Sequence, residues 1–345
     1  MDNDKQNLEE LYKVVKSYLE KVDFSLLWKG FKPLKFALYN DETVFFDGKY
    51  VEKTSEFIAN TAIEYKGEMI GIWNVMEDID PIVLASKMIH EMFHGFQRMN
   101  NETRFPDELD ALYNYQYSDE NLSIKLEENK LLVKLLDNYN VDDFNKLLGL
   151  RSYRADKFKY QYKYESLIEQ IEGSANNVEL NALKQLSNDL YLEKLNSLKN
   201  SIVEKSNFLP IRVLCYDIGA MLLEVLKRNN LTFNEGFSKD SFSMDLIKDV
   251  KAVKADTEFS FQEEIKKYFD RAEEIINNAI DKNDVVVEGS YNILGVNVYN
   301  AIFYKGYIIS IYFLMYGNQE APNIEYGNFV IESKGDKILT KVYRY

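Results

Sequence analysis

Apolar residues recur at helical spacing through the middle of the chain, and shorter strand-like runs stand on either side of that region. The clearest helical pattern covers residues 81–99, where apolar positions fill more than half of the circumference at about 100° per residue. Asp80 is a favourable N-cap, Pro81 suits the first helical position, and no further proline or glycine follows until Gly95. The pattern predicts a largely buried helix with one narrow polar strip.

Strand-like runs precede this helix, and further helical patterns follow it. A first helix is predicted over residues 7–30. Strands are predicted, between turn-forming Asn, Asp and Gly residues, at 34–38, 43–46, 61–65 and 69–75. Later helical patterns cover 106–117, 120–138, 142–159, 164–179, 210–223 and 231–282, the last of them strongly charged and expected to form a solvated pair.

Residues 283–345 change character. They are rich in Val, Ile, Phe and Tyr, and turn signals at 305–306, 317–318 and 334–336 divide them into an antiparallel meander of about five strands. The predicted fold class is therefore α+β. It combines a small N-terminal β-sheet at 31–79, a helical region at 80–282 and a C-terminal antiparallel β module at 283–345, with residues 1–282 expected to form one unit.

The polar strip of the 81–99 helix carries both histidines of the chain. His90 and His94 are four residues apart, so on a helix their imidazoles lie on one face and can converge on one point. Glu91 is turned away by about a quarter of the circumference and would reach a water beside that point. His-Glu-x-x-His is the signature of zinc hydrolases, which predicts Zn²⁺ as cofactor. The competing interpretation is a pair of ordinary surface or core histidines.

A third protein ligand would have to be a carboxylate, because the chain has no other histidine. The helical pattern at 164–179 supplies candidates that share one strip at the margin of an apolar face, and a solvated acidic strip is the alternative interpretation. The strip consists of Glu165, Glu169, Glu172, Asn176 and Glu179, and its four glutamates are the candidates.

Gly173 stands within the same helical pattern, where glycine costs about 1 kcal/mol relative to alanine. Its presence predicts the close approach of another backbone. With Ala175, it is expected to let this helix pack tightly against the 81–99 helix.

The two segments together resemble the gluzincin group of zinc metallopeptidases, over roughly residues 55–225. The resemblance rests on His90-Glu91-Met92-Phe93-His94 and on Glu172-Gly173-Ser174-Ala175, since many gluzincins take their third ligand from the glutamate of an E-G-x-A segment on a second helix. It implies a zincin-like fold in which the metal ligands are His90, His94 and Glu172 and the catalytic base is Glu91. Glu169 is the alternative third ligand.

A buried helical pattern at 210–223 adds two candidates. Similar proteins have a Y-x-x-G helix behind the site, which here corresponds to Tyr216-Asp217-Ile218-Gly219. The resemblance implies that Tyr216 or Arg212 stabilises an oxyanion. An ordinary core tyrosine is the competing interpretation, because the chain contains 25 tyrosines.

Composition narrows the expected partners. A net charge of −14 disfavours nucleic acid and anionic membrane as partners, and no apolar run is long enough for a spanning helix. Residues 1–6 carry no apolar core of the kind that a signal peptide has, and the single cysteine, Cys215, excludes an intramolecular disulfide.

The expected localisation follows from these two observations: it is cytoplasmic, with secretion only if a leader has been removed. No pattern indicates the oligomeric state.

The predicted function is a zinc-dependent metallopeptidase acting on a peptide or protein substrate. A sheet just ahead of the zinc helix could bind an extended peptide along its edge. Two alternatives stay open: a zinc hydrolase of another amide, and a non-catalytic peptide-binding or regulatory protein that retains a metal site. Substrate sequence and the choice between endo- and exopeptidase action do not follow from the sequence.

Overall fold

The structure, a computed structural model, describes residues 8–237, 239–333 and 337–345. Residues 1–7, at the start of the first predicted helix, and the predicted turn at 334–336 lie outside this description. The described residues form an α+β fold with two β-sheets, which confirms the predicted class at that level. Within them, no helix has both the length and the apolar character that crossing a membrane requires.

Eleven α-helices lie in the described ranges, and a π-helical turn at Glu169–Gly173 joins the sixth to the seventh. The helices are α1 Leu8–Leu19, α2 Pro81–Met99, α3 Glu108–Asn114, α4 Asp119–Asp137, α5 Val141–Lys157, α6 Lys159–Ile168, α7 Ser174–Leu186, α8 Asn188–Ser201, α9 Arg212–Arg228, α10 Phe242–Ile247 and α11 Gln262–Lys282.

Twelve β-strands lie in the same ranges. They are β1 Lys35–Tyr39, β2 Thr43–Phe46, β3 Lys49–Glu52, β4 Thr61–Tyr65, β5 Glu68–Asn74, β6 Val285–Val296, β7 Ile302–Tyr304, β8 Tyr307–Ser310, β9 Phe313–Asn318, β10 Ala321–Tyr326, β11 Phe329–Ser333 and β12 Ile338–Arg344.

The N-terminal sheet supports the helix that carries both histidines. In the described residues its strand order is β3-β2-β1-β5-β4, with β1 and β5 parallel and the other neighbours antiparallel. Phe36 and Leu38 of β1 share one buried cluster with Met88 and Met92 of α2. Because the apolar side of α2 is held against the sheet and the helical core, its polar strip is free to line a cleft.

The predicted boundaries of α2 are confirmed. Asp80 caps the helix, since its Oδ1 accepts the backbone N–H groups of Ile82 at 2.7 Å and Val83 at 3.2 Å, and Pro81 occupies the first helical position. Such a cap typically contributes about 1 kcal/mol. The start of the helix, and with it the rotation of the histidine face, is therefore fixed locally.

Other predicted elements agree in part. The strands at 43–46 and 61–65 are confirmed, and α3, α4 and α5 occupy the predicted places with ends shifted by up to three residues. The first helix is shorter than predicted because Asp23 starts a separate turn, accepting the N–H of Ser25 at 3.0 Å. Strand β3 and helix α8 were not predicted.

Gly173 lies against another helix with no room for a side chain, as predicted, but its partner is α9 rather than α2. A methyl group on Gly173 would meet Cα of Gly219 at 2.6 Å, and one on Gly219 would meet the carbonyl oxygen of Glu169 at 2.8 Å. Asn177 adds a hydrogen bond across this contact, donating from Nδ2 to the carbonyl oxygen of Ala220 at 3.1 Å. The helical segment predicted at 164–179 continues into α7, and α7 packs against α2.

The C-terminal sheet differs from the predicted five-strand meander. In the described residues seven strands follow the order β10-β9-β6-β12-β11-β8-β7, with antiparallel pairing throughout. The stretch between the predicted turns at 305–306 and 317–318 forms two strands rather than one, because Tyr312 takes a left-handed conformation at φ 74° and separates β8 from β9. The two halves then pair with different neighbours.

The charged stretch at 231–282 is not a solvated helical pair. Among the described residues of this stretch only α10 and α11 are helical, and residues 248–261 follow an irregular path. That path is held by tertiary contacts: the N–H of Val253 donates to the carbonyl oxygen of Gly149 at 2.9 Å, and Phe261 is fully buried. Ala272, Ile276 and Ala279 of α11 pack against the C-terminal sheet. The unit boundary at residue 283 stays a prediction.

Replacing Gly173 with alanine is expected to destabilise the protein, although glycine to alanine in an open helix stabilises it by about 1 kcal/mol. The added methyl group meets backbone atoms that cannot rotate away, so the free energy of unfolding should fall by about 1–3 kcal/mol. Chemical denaturation measures this change. Ser197→Ala, at an exposed site of α8, is the control and should stay within about 0.5 kcal/mol of the parent. A stability gain for Gly173→Ala would contradict the close contact.

Candidate metal centre

The helix α2 brings the two histidines together as their spacing predicts. Nε2 of His90 and Nε2 of His94 lie 3.0 Å apart, and both side chains are mostly buried. Two ligand atoms at about 2.0–2.1 Å from a tetrahedral ion lie about 3.3 Å from each other. The pair therefore has the spacing of two ligands to one small cation.

Glu172 completes a triad of potential ligands from the π-helical turn. Its Oε2 lies 3.3 Å from Nε2 of His94 and 3.9 Å from Nε2 of His90. These three residues form a group whose ligand atoms could hold one metal ion. π-Helical turns are rare and occur often at functional sites. The turn places the carboxylate of Glu172 over the histidine face of α2.

Gln97 determines which nitrogen of His94 carries the proton. Nε2 of Gln97 donates to the carbonyl oxygen of Ile171 at 3.0 Å and to Oγ of Ser174 at 3.2 Å, so Oε1 of its amide is the acceptor that lies 2.8 Å from Nδ1 of His94. The proton of the neutral ring is therefore on Nδ1. Nε2 of His94 is left with a lone pair directed at His90 and Glu172.

Glu179 plays the corresponding part for His90. Its Oε2 lies 3.4 Å from Nδ1 of His90, slightly longer than an ordinary hydrogen bond. Burial alone would raise the pKa of Glu179, but the interactions with His90 and Lys87 outweigh burial and lower that pKa to about 2. A carboxylate only accepts hydrogen bonds, so it favours the Nδ1–H form of His90 and again leaves Nε2 with its lone pair.

The convergence of His90, His94 and Glu172 favours a positive charge between their side chains. Two imidazole lone pairs and a carboxylate oxygen converge within a mostly buried space, where their mutual repulsion is weakly screened. Burial alone would lower the pKa of His94, yet the nearby carboxylate of Glu172 raises it, so a positive charge is favoured at this point. A proton or a metal ion would supply that charge. The donor set, two nitrogens and one oxygen, fits Zn²⁺.

The alternative ligand Glu169 points away from the histidines. Its Oε2 pairs with Nη2 of Arg151 at 2.5 Å and accepts a hydrogen bond from Ser243. Glu165 is likewise paired, with Arg154 and with Lys125. The prediction of one shared acidic strip is wrong, because the π-helical turn changes the rotation of the helix between Glu169 and Glu172. The carboxylates of Glu165 and Glu169 therefore face cations of α4 and α5.

Glu91 lies where the sequence places a catalytic base. It is buried, with 8% of its surface exposed, and lines the same cavity as His90, His94 and Glu172. Desolvation by burial is the main reason that the pKa of Glu91 is raised, and the carboxylates of Glu172 and Glu179 add to the effect. A carboxylate with a raised pKa is a stronger base, which suits proton transfer near neutral pH.

Arg212 holds the outer oxygen of Glu172. Its Nη2 lies 3.5 Å from Oε1 of Glu172, and its Nε donates to Oε1 of Glu108 at 2.8 Å. The interactions with both histidines and with Arg212 outweigh burial and lower the pKa of Glu172 to about 2. Nη1 of Arg212 is buried, and within the described ranges it has no hydrogen-bond partner. The side chain of Arg212 as a whole lines the cavity.

Tyr216 also lines the cavity, together with a tyrosine that the sequence did not single out. Tyr299, from the turn between β6 and β7, places its hydroxyl 3.5 Å from that of Tyr216. The guanidinium of Arg212 lies over both rings, 5.0 Å from the centroid of Tyr216 and 4.7 Å from that of Tyr299. No sequence signal marks Tyr299, because it lies in a turn of a different sheet.

Gln97 and Glu179 were not assigned roles from the sequence either. Gln97 stands three residues after His94, on the same face of α2, which is a spacing that could have indicated an orienting partner. Glu179 belongs to the predicted acidic strip, which indicates a candidate ligand and not a partner that orients His90. Glu179 lies two helical turns after Glu172, and this spacing places its carboxylate beside the ring of His90.

The cavity around these groups has a volume of about 370 Å³ and reaches the edge of the N-terminal sheet. Asn60 and Thr61, at the start of β4, line it, and β4 is an edge strand in the described sheet. The lining residues are Asn60, Thr61, His90, Glu91, His94, Arg98, Phe105, Pro106, Glu108, Ile171, Glu172, Arg212, Tyr216 and Tyr299. The centre is thus open to a ligand that lies along β4.

Comparison with protein-family models, with curated proteins and with solved structures finds no match to this chain. The geometry of the cavity and of its ligand set is therefore the observation from which a function is proposed.

Glutamine substitutions separate the two candidate third ligands. Glu172→Gln should weaken zinc binding by more than about 100-fold, beyond the 10–100-fold loss typical of residues that only orient ligands. Glu169→Gln is its matched control: it should lose stability because Arg151 loses its partner, but the folded protein should retain zinc because that side chain does not face the histidines. Competition with a chelator measures the affinity, and metal analysis after dialysis measures the stoichiometry. Loss of zinc from Glu169→Gln alone would overturn the assignment of Glu172.

Proposed function

We propose that the protein is a zinc-dependent metallopeptidase of gluzincin type. The observation that carries this proposal is the convergence of the Nε2 atoms of His90 and His94 on the Glu172 carboxylate, with Glu91 beside them in an accessible cavity. Zinc held by these three ligands would supply Lewis-acid chemistry, polarising a carbonyl and activating water. Gln97 and Glu179 would keep both rings in the ligating tautomer.

Glu91 would act as general base and then as general acid. Its carboxylate takes a proton from the attacking water and later gives that proton to the nitrogen of the departing amine. Such positioned proton transfer typically contributes about 10²–10⁴-fold to the rate. The buried position of Glu91 supports this role, since it raises the proton affinity of the carboxylate without removing it from the cavity.

The negative charge that develops on the carbonyl oxygen would be met by donors on the far side of the cavity. The side chains of Arg212, Tyr216 and Tyr299 line the cavity, and the two tyrosine hydroxyls would be such donors. Tyr299 is the more accessible tyrosine, at 48% exposure against 8% for Tyr216. Donors held in place before the reaction need no reorganisation during it.

The position of β4 favours a peptide over another amide. An extended peptide can pair with an edge strand through main-chain hydrogen bonds, and β4 leads into the cavity at Asn60 and Thr61. Arg98 already donates to the carbonyl oxygen of Ala62 in this strand. A non-catalytic binding protein is the less favoured alternative, because such a protein would not need a buried carboxylate at Glu91. Cytoplasmic localisation and the absence of a nucleic-acid partner stay predictions.

Glu91→Gln tests the mechanism. The amide cannot accept the proton, so peptide cleavage should fall by about 10²–10⁴-fold. Zinc stoichiometry should stay near that of the parent, because Glu91 is not a ligand. Cleavage of a mixed peptide pool, followed by mass spectrometry, and metal analysis measure the two quantities. Unchanged cleavage would refute the general-base role, and absence of both zinc and cleavage in the parent would support the binding alternative.

Removing one hydroxyl at a time tests the oxyanion donors. Tyr299→Phe should lower kcat by about 10-fold or more with little change in KM, because its hydroxyl would act in the transition state. Tyr216→Phe is the matched variant and should have the smaller effect, since that hydroxyl is less accessible. Steady-state kinetics on one cleaved peptide gives both constants. A change in KM alone would assign Tyr299 to substrate binding.

A further inference from the structure

Arg98 lies on the cavity side of α2, one turn beyond the second histidine. His90, His94 and Arg98 follow one another at intervals of four residues, so their side chains share one side of the helix. Arg98 is exposed and lines the metal cavity. Four residues advance a helix by about 6 Å, which is the length of about two residues of an extended peptide. A peptide cleaved at the metal would therefore pass Arg98 within a few residues of the cleaved bond.

The hydrogen bonds of the N-terminal sheet show which way the backbone groups of β5 point. The N–H of Val75, directly after β5, donates to the carbonyl oxygen of Tyr39 in β1 at 2.8 Å. Backbone groups alternate in direction along a strand, so the odd-numbered residues of β5 face β1 and the even-numbered ones face β4. The N–H of Asn74 agrees with this pattern, since it donates to Oδ1 of Asn60, just before β4, at 2.7 Å.

Ala62 consequently presents its backbone N–H and carbonyl to the free edge of β4. Thr61 is paired with Ile72 across the two strands. Ile63 is paired with Ile70 in the same way. Because the even-numbered residues of β5 face β4, Thr61 and Ile63 direct their own backbone groups back at β5. Ala62 lies between them and points the other way, to the side where a peptide could pair with the strand.

The side chain of Ala62 faces α2. Ala62 is fully buried, and a methyl group added to Gly95 of α2 would lie 3.3 Å from its Cβ. Residues directly opposite each other on neighbouring strands have their side chains on the same face of a sheet. A peptide residue that pairs with Ala62 would therefore direct its side chain toward α2, the helix from which Arg98 extends.

Arg98 is already held at this edge. Its Nη1 donates to the carbonyl oxygen of Ala62. That bond uses one of the five N–H groups of the guanidinium, and the carbonyl oxygen keeps a second lone pair for a peptide N–H. An arginine that is held in advance loses less side-chain freedom when its remaining donors bind a ligand.

The two arginines that line the cavity differ in their partners. Arg212 is paired with the carboxylates of Glu108 and Glu172. The partner of Arg98 is a backbone carbonyl, and within the described ranges no carboxylate forms an ion pair with it. Arg98 is thus a cation of the cavity whose charge is not matched by a neighbouring side chain of the described residues.

We propose that Arg98 is a specificity-determining residue that binds a carboxylate of the substrate, carried by the aspartate or glutamate that pairs with Ala62. This inference rests on the proposed peptidase function. It names the substrate class as extended peptides with an acidic residue within a few positions of the cleaved bond. Bonds between arginine and a carboxylate are charge-assisted and frequently bidentate. The net charge of −14 repels acidic peptides at longer range, so a preference for them requires a local cation.

A glutamate scan that measures binding tests this assignment. Hexa-alanine peptides with acetylated N-termini and amidated C-termini carry glutamate or glutamine at one position, and calorimetry measures their binding to the zinc-loaded Glu91→Gln variant. At one position, glutamate should bind at least about 10-fold more tightly than glutamine, as a charge-assisted hydrogen bond provides. A single position is expected because main-chain pairing fixes the register. Equal affinities at every position would overturn the assignment.

A free C-terminus is the other source of a carboxylate on a peptide. The all-alanine peptide is therefore compared with a free and with an amidated C-terminus, and the two forms should bind within about 2-fold of each other. A gain for the free C-terminus without any gain from internal glutamate would overturn the assignment to an acidic side chain.

Variants at Arg98 identify the group that binds the carboxylate. Arg98→Gln, combined with Glu91→Gln, should reduce the preference for glutamate over glutamine to about 1-fold. Arg98→Glu in the same background should bind lysine more tightly than glutamine at that position, which a merely structural role does not predict. Arg271→Gln removes an exposed arginine of α11 and is the matched control that should keep the preference.

The contrary result is equally defined. A full preference for glutamate in the Arg98→Gln protein would assign the carboxylate to the zinc ion and refute the role of Arg98. If Arg98→Gln fails to unfold cooperatively on heating, Arg98→Lys replaces it. That variant keeps the charge but not the planar fork, so it should lose part of the preference.

Turnover by the parent protein separates the two proposals. A preference for glutamate in binding together with cleavage of the same peptide supports both of them. The preference without cleavage would leave the role of Arg98 in place and refute the peptidase function. Cleavage without a preference that responds to Arg98→Gln would support the peptidase and refute the role of Arg98.

Discussion

The contact between Gly173 and Gly219 sets the geometry on which the candidate metal centre depends. Two helix backbones meet there without space for a methyl group. Glu172 directly precedes one glycine, and Arg212 stands two turns before the other on α9. The distance between these helices therefore determines how far the carboxylate reaches toward α2 and how the guanidinium supports it. A single added carbon at this contact would meet backbone atoms one residue away from Glu172.

Buried charges hold the same helix from its other side. Glu165 and Glu169 form ion pairs with Arg154 and Arg151, and all four side chains are almost fully buried. Burial alone would raise the pKa of Glu165, but the cations around it lower that pKa to about 2. Replacing one partner would leave a buried charge unpaired, which typically costs about 3–5 kcal/mol. The helix is thus fixed on both faces, and the π-helical turn is confined between them.

The part of the site that follows from local spacing could be predicted from the sequence. The boundaries of α2, its cap at Asp80 and the convergence of His90 and His94 all depend on residues within a few turns of one another. Glu172 needed the resemblance to gluzincins, because helical periodicity places it in one strip with Glu169. Only the π-helical turn separates the two, and that turn lies against α9, which is remote in sequence. Tyr299 could not be found, since contacts between remote elements bring it to the cavity.

The path of the chain through the C-terminal sheet also has a consequence for synthesis. The turn that carries Tyr299 connects β6 to β7, and in the described sheet β12, β11 and β8 lie between these two strands. The sheet that flanks this turn is complete only when β12, which ends at Arg344, has paired with β6. All three proposed ligands, in contrast, lie before residue 187 and can assemble while the ribosome is still adding residues. A nascent chain could therefore bring the proposed ligand triad together before β12 pairs with β6 and completes the sheet beside Tyr299.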